Sequence, residues 1–126
     1  MGPWCFDLDG TISATPDLMK ALMKGLRDAG HEVHVLSGTH HDPATDADIR
    51  EKMDLLNKCG LTHGDDFDKL VAVSGPEESV AARKVDYMRH VNAAGLVDDR
   101  KDNIKAARKA GFLGLRHYDP KGKSGK

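Results

Sequence analysis

Five short apolar runs alternate with segments of helical spacing, and this alternation constrains the fold more than any other feature of the chain. Residues 3–8 form the first run, which ends in acids and Gly10. Thr15 then reads as a cap with Pro16 at the first helical position. Leu18, Met19, Leu22, Met23 and Leu26 follow at helical spacing, and Gly30 ends that helix. Residues 31–37 read as a second strand and 38–43 as a loop. Thr45 with Asp48 resembles a capping box, opening a helix that turns Ile49, Met53 and Leu56 inward and ends near Gly60. A third strand is expected at 70–73, a helix from Glu77 to about Asn92, a fourth strand at 95–97, a helix over 100–110 and a fifth strand at 112–115.

Strands alternating with helices imply a three-layer α/β/α, Rossmann-like fold, with a five-stranded, mostly parallel sheet and helices on both faces. The chain shows no room for a cap domain after its first or second strand. Residues 1–120 are read as one domain and 121–126 as a disordered tail without apolar content. In such sheets ligands bind beyond the carboxyl ends of the strands. Asp7, Ser37 and Asp98 each stand at such an end, so three separate segments place polar residues on one rim.

Composition excludes several classes. The formal net charge of −1 gives no global field toward nucleic acid or anionic membrane, although a local basic patch stays open. No run approaches the roughly 18 apolar residues of a membrane span. Acids at 7 and 9 interrupt any export signal. The two cysteines, Cys5 and Cys59, are too few for a disulfide framework and read as reduced. A cytoplasmic location is expected.

Asp7-Leu8-Asp9-Gly10-Thr11 is the sharpest chemical signal. Alternation along a strand puts Asp7 and Asp9 on the same side, and two carboxylates so close need a cation or a shared proton. Magnesium, hard and commonly shared with phosphate oxygens, suits that need. A strand-end turn with Asp7 as a cap is the plainer alternative. Ser37 can donate to a phosphoryl oxygen, and Gly38 lets the backbone approach closely. Lys84 lies four residues after Val80 and four before Met88, on the inward stripe of its helix, where it needs an anionic partner. Its alternative is a stem that snorkels to solvent. Asp98 and Asp99 repeat the acid crowding, and Asn103 can reach back to hold the Asp99 carboxylate.

Taken in order, these four segments resemble the motifs of the haloacid dehalogenase superfamily over nearly the whole chain. The resemblance implies a capless, magnesium-dependent phosphomonoester phosphatase. Asp7 is its implied nucleophile, forming an aspartyl-phosphate, and Asp9 its general acid and base. It further implies magnesium held by Asp7, the Asp9 carbonyl and Asp99, phosphate bound by Ser37, Gly38 and Lys84, and Asp98 and Asn103 supporting the ligands from behind. The chain is most similar to the phosphatase domain of polynucleotide kinase-phosphatases, which points to 3′-phosphate ends of nucleic acid. Thr39, however, stands where those domains carry Arg. Nucleotides or sugar phosphates are the alternative substrates, with a homo-oligomer covering the open site. A non-catalytic, receiver-like phospho-accepting regulator is the rival from another class, although it needs no acid at position 9.

Other local patterns are set aside. Gly122-Lys123-Ser124 lacks the glycine and the helix of a phosphate-binding loop. His40-His41 reads as a solvated loop pair, Asp65-Asp66-Asp68 as a solvated loop cluster, and Cys59 with His63 lacks further zinc partners.

Overall fold

The computed structural model describes residues 1–118; the expected tail at 121–126 and the Gly122-Lys123-Ser124 pattern lie outside them. Its strands are β1 (Trp4–Phe6), β2 (Val33–Thr39), β3 (Lys69–Ser74), β4 (Gly95–Asp98) and β5 (Leu113–Arg116). Its helices are α1 (Pro16–Asp28), α2 (Asp46–Lys58), α3 (Val80–Val91) and α4 (Lys101–Lys109). The strands form one sheet in the order β3-β2-β1-β4-β5, parallel at every pairing.

Side chains alternate across β1 and divide the core in two. Trp4 and Phe6 join Val33, Val35, Met19, Met23, Leu56, Leu61 and Phe67 beneath α1 and α2. Cys5 joins Leu36, Leu96, Met88, Ile104 and Ala107 beneath α3 and α4. Each fully buried large side chain contributes about 1.5–3 kcal/mol relative to exposure. The α1 stripe is narrower than its spacing predicts: Met19 and Met23 are buried, whereas Leu18 stays exposed.

The α2 capping box is present, with Thr45 Oγ1 accepting from the Asp48 amide at 3.1 Å and Asp48 accepting from the Thr45 amide at 2.8 Å. Thr15, expected to cap α1, makes no such bond, because its hydroxyl meets His117 Nε2 instead. The helix expected from Glu77 begins as a tight turn over Glu77–Ser79 and becomes α-helical at Val80. Asn92, at φ 57°, ends it in the left-handed conformation. The acid cluster at 65–68 is structural rather than merely solvated. Asp68 accepts from the Val33 amide at 2.8 Å and pairs with Arg27, and Asp66 accepts from the Thr62 amide, tying this loop to α1 and β2.

Strand order reverses at β1, whose connection runs to β2 on one side while β4 lands on the other. That switch point opens a crevice at the carboxyl ends of β1 and β4.

Candidate anion and cation site

Two strand exits and one helix build the centre of the crevice. Asp7 follows β1, with its amide still donating to the Val97 carbonyl at 2.9 Å. Asp98 ends β4 and Asp99 follows it. Carboxylate oxygens of Asp7, Asp98 and Asp99 lie within 4.8 Å of one another, and all three residues are buried. Lys84 enters from α3, 1% exposed, and donates to Asp7 Oδ1 at 2.9 Å and Asp98 Oδ2 at 2.8 Å. The inward stripe of α3 thus ends in an ammonium held by the rim, and its stem does not snorkel outward.

Asp98 is saturated. Lys84 and the Asn103 side chain donate to its Oδ2, and the Arg100 amide donates to its Oδ1. Asn103 therefore holds Asp98 and not Asp99, the carboxylate that spacing suggested, because Asp98 is the one turned toward the first turn of α4. Thr11, which sequence reasoning left without a role, sits between the other two acids. Its hydroxyl lies 3.1 Å from Asp7 Oδ2 and 3.0 Å from Asp99 Oδ1, and it accepts from the Asp99 amide. One hydroxyl proton cannot serve both carboxylates.

Were all three carboxylates ionised, one ammonium would leave two negative charges uncompensated in a buried place. The titration behaviour follows. Burial, the largest influence, pushes the Asp7 carboxyl up to about 8; Lys84 opposes it, and the neighbouring Asp98 and Asp99 add to it. For Lys84 burial works downward, but Asp7 and Asp98 outweigh it and hold the ammonium above its ordinary range. The site thus takes up a proton at Asp7 or a cation among the three acids. Its donors are all oxygen, which fits a hard divalent ion such as magnesium.

Asp9 is placed differently from the expectation of strand alternation. β1 ends at Phe6, and the chain leaves it through a turn over Leu8–Ile12 in which Asp9 (φ −71°, ψ 123°) and Gly10 (φ 81°, ψ −10°) have type II dihedrals. Gly10 is required twice, for its positive φ and because a Cβ there would lie 2.7 Å from Asp99 Oδ2. The turn carries the Asp9 carboxylate out to solvent, 69% exposed and 3.6 Å from Lys52 Nζ, away from the buried triad. Lys52, on α2, also donates to Ser37 Oγ at 2.8 Å. It was missed because nothing in the α2 pattern separates it from a surface lysine.

The resulting cleft has a volume of about 570 Å³ and is lined by Asp7, Gly10, Gly38, Lys84, Asp99 and Asn103 among others. Ser37, 1% exposed, lies one residue below the wall formed by Gly38, Thr39 and His40. His40 therefore faces the cleft, while His41 turns to Asp48 at 2.7 Å.

No family model and no curated protein matches this chain. Solved structures do. An uncharacterized protein from Corynebacterium glutamicum matches with a TM-score of 0.61 and 20% identity, over 94% of this chain and 86% of that one. A universal stress protein in complex with cAMP matches at 0.57 and 16%, over 93% and 97%. The universal stress protein from Archaeoglobus fulgidus in complex with dAMP matches at 0.53 and 16%, over 92% and 97%. At these identities the likeness shows the fold: a three-layer α/β/α domain with a parallel sheet.

These matches correct the family reading. The named neighbours are universal stress proteins and not haloacid dehalogenase phosphatases. The magnesium-dependent phosphatase, its aspartyl-phosphate, the nucleic-acid 3′-phosphate, the sugar-phosphate alternative and the receiver-like rival fall with it. The motif residues converge on one rim, but such a rim is shared by many α/β proteins of different function. No helix among the described residues is long and apolar enough to cross a membrane.

Proposed function

We propose that this domain binds a phosphorylated nucleotide together with a divalent cation, at the carboxyl ends of β1 and β4. The observation that carries the reading is the buried triad of Asp7, Asp98 and Asp99, whose charge Lys84 only partly offsets. A phosphate entering that field alone would meet net repulsion; with a divalent ion it is attracted. Asp7, Asp99 and the Asp9 carbonyl are the ligands proposed for magnesium, with Asp98 and Asn103 holding the arrangement from behind. The ligand's phosphate meets Gly38 and the third N–H of Lys84, the two others being spent on Asp7 and Asp98. Ser37, just below, supports that wall. A cleft of about 570 Å³ is the size of an ordinary small-molecule site. Two of the matched structures hold cAMP and dAMP, which makes adenine nucleotides the first ligands to try.

Calorimetric titration with AMP and ADP, each with magnesium and with excess chelator, tests the reading. Binding with magnesium that weakens at least about tenfold in chelator, a difference of about 1.4 kcal/mol, is expected. Nucleotide binding indifferent to the cation, or retained equally by uncharged adenosine, would refute it.

A further inference from the structure

Lys52 projects from α2 toward the exits of β1 and β2, with its side chain 13% exposed. Among the described residues its ammonium makes one hydrogen bond, to Ser37 Oγ at 2.8 Å, and stands 3.6 Å from Asp9 Oδ2. The second contact is longer than a hydrogen bond, and the Asp9 carboxylate can turn into water at little cost. Lys52 therefore keeps donors that an incoming anion can take. Lys84 differs, since Asp7 and Asp98 already occupy two of its three.

Two concavities meet at this point. One is the triad cleft. The other, of about 510 Å³, lies against α2 and is lined by Lys52, Arg50 and Lys58 together with Glu51 and Asp54. Asp9 lines both, so its exposed carboxylate is the wall between them. Arg50 and Lys58 share that lining with Glu51 and Asp54. The Lys52 ammonium is set apart by its partial burial beside Ser37, where a charge contact is screened less than on the open surface.

We propose that Lys52 determines how many phosphates the ligand carries. One phosphate rests on the cation of the triad, and the next crosses the Asp9 wall and replaces Asp9 at Lys52, so that the site selects di- or triphosphates over monophosphates. This rests on the reading of the rim as a phosphate site, but its test does not require the nucleoside part.

Magnesium with inorganic phosphate or with pyrophosphate is titrated into the wild-type domain, Lys52→Met, Lys52→Gln and Lys52→Arg. A charge-assisted hydrogen bond predicts that wild type favours pyrophosphate by about tenfold or more. Lys52→Met and Lys52→Gln should reduce that preference to about threefold or less, and Lys52→Arg should retain it. Lys52→Gln keeps a polar N–H donor without the charge, and urea unfolding of each variant separates loss of charge from any loss of folding. A preference unchanged in Lys52→Gln, or phosphate and pyrophosphate weakened alike, overturns the proposal and leaves Lys52 a support for Ser37. A second arm uses AMP and ADP. If neither binds while the pyrophosphate preference behaves as described, the nucleotide reading fails and Lys52 keeps its role. If wild type and Lys52→Gln bind both nucleotides with the same ratio, the nucleotide reading stands and the Lys52 proposal fails. Absence of all anion binding by wild type overturns both.

Discussion

Replacing Lys84 by Met keeps most of the side-chain volume and removes the charge at the centre of the site. The ammonium is 1% exposed and makes two charge-assisted hydrogen bonds, at 2.9 Å to Asp7 and 2.8 Å to Asp98. Each such bond contributes about 1.5–3 kcal/mol, offset by the cost of keeping an ammonium from water. What remains after substitution is a set of buried carboxylates with no counter-ion, and breaking a buried pair in this way costs about 3–5 kcal/mol. With an m-value of about 2 kcal/mol/M, the urea midpoint should fall by about 2 M at neutral pH without divalent ions. Magnesium should restore more stability to the variant than to wild type, because the ion supplies charge that the variant lacks; at a hundred times its dissociation constant, binding adds about 2.7 kcal/mol. The double variant Lys84→Met/Asp98→Asn should recover part of the loss, since it removes one orphaned charge. Urea unfolding of the three proteins with and without magnesium is the assay. A loss below about 1 kcal/mol, the level of a surface pair, or an equal gain from magnesium in wild type and variant, would refute the charge accounting.

Two further outcomes follow from local geometry. Gly10→Ala places a Cβ 2.7 Å from Asp99 Oδ2 at φ 81°, so it should cost about 1–3 kcal/mol in urea unfolding and weaken magnesium binding in a calorimetric titration; unchanged values in both would exclude the close approach. Asp48 is held down to about 2, first by the hydrogen bond from the Thr45 amide, so its contribution is present above its ordinary 3.8 and is lost as pH falls from there toward about 2. The stability gap between wild type and Asp48→Asn should therefore close across that interval, and a gap independent of pH would show that the capping carboxylate carries no charge-dependent stability.

The order of elements was legible because strand and helix have different apolar periods and because caps and glycines mark their ends. The capping box at Thr45 and Asp48 is a local device, closed within four residues, and it stands as read. The convergence of Asp7, Asp98 and Lys84 was also legible, since a parallel sheet with right-handed crossovers brings strand exits to one edge whatever the loop details. Side-chain direction was less so. Asp9 was assigned by strand alternation, but the strand stops at Phe6 and a type II turn sends the carboxylate to Lys52.

Partners across the fold were decided only by packing. Asn103 chooses Asp98 over Asp99 because of the way β4 hands over to α4, and Thr11 wedges between Asp7 and an acid 88 residues away, Asp99. Lys52 has the sequence context of any helix-surface lysine, and it becomes part of the rim only where α2 crosses the exit of β2. Family and chemistry separate for the same reason. Motif order along the chain suggested a phosphatase, whereas the matched structures share the fold with different sequences. The sequence by itself determined a doubly wound parallel sheet with acids at its rim, because periodicity and spacing are local. Tertiary structure decided which of those acids face one another, because charge compensation depends on distances between segments far apart in the chain.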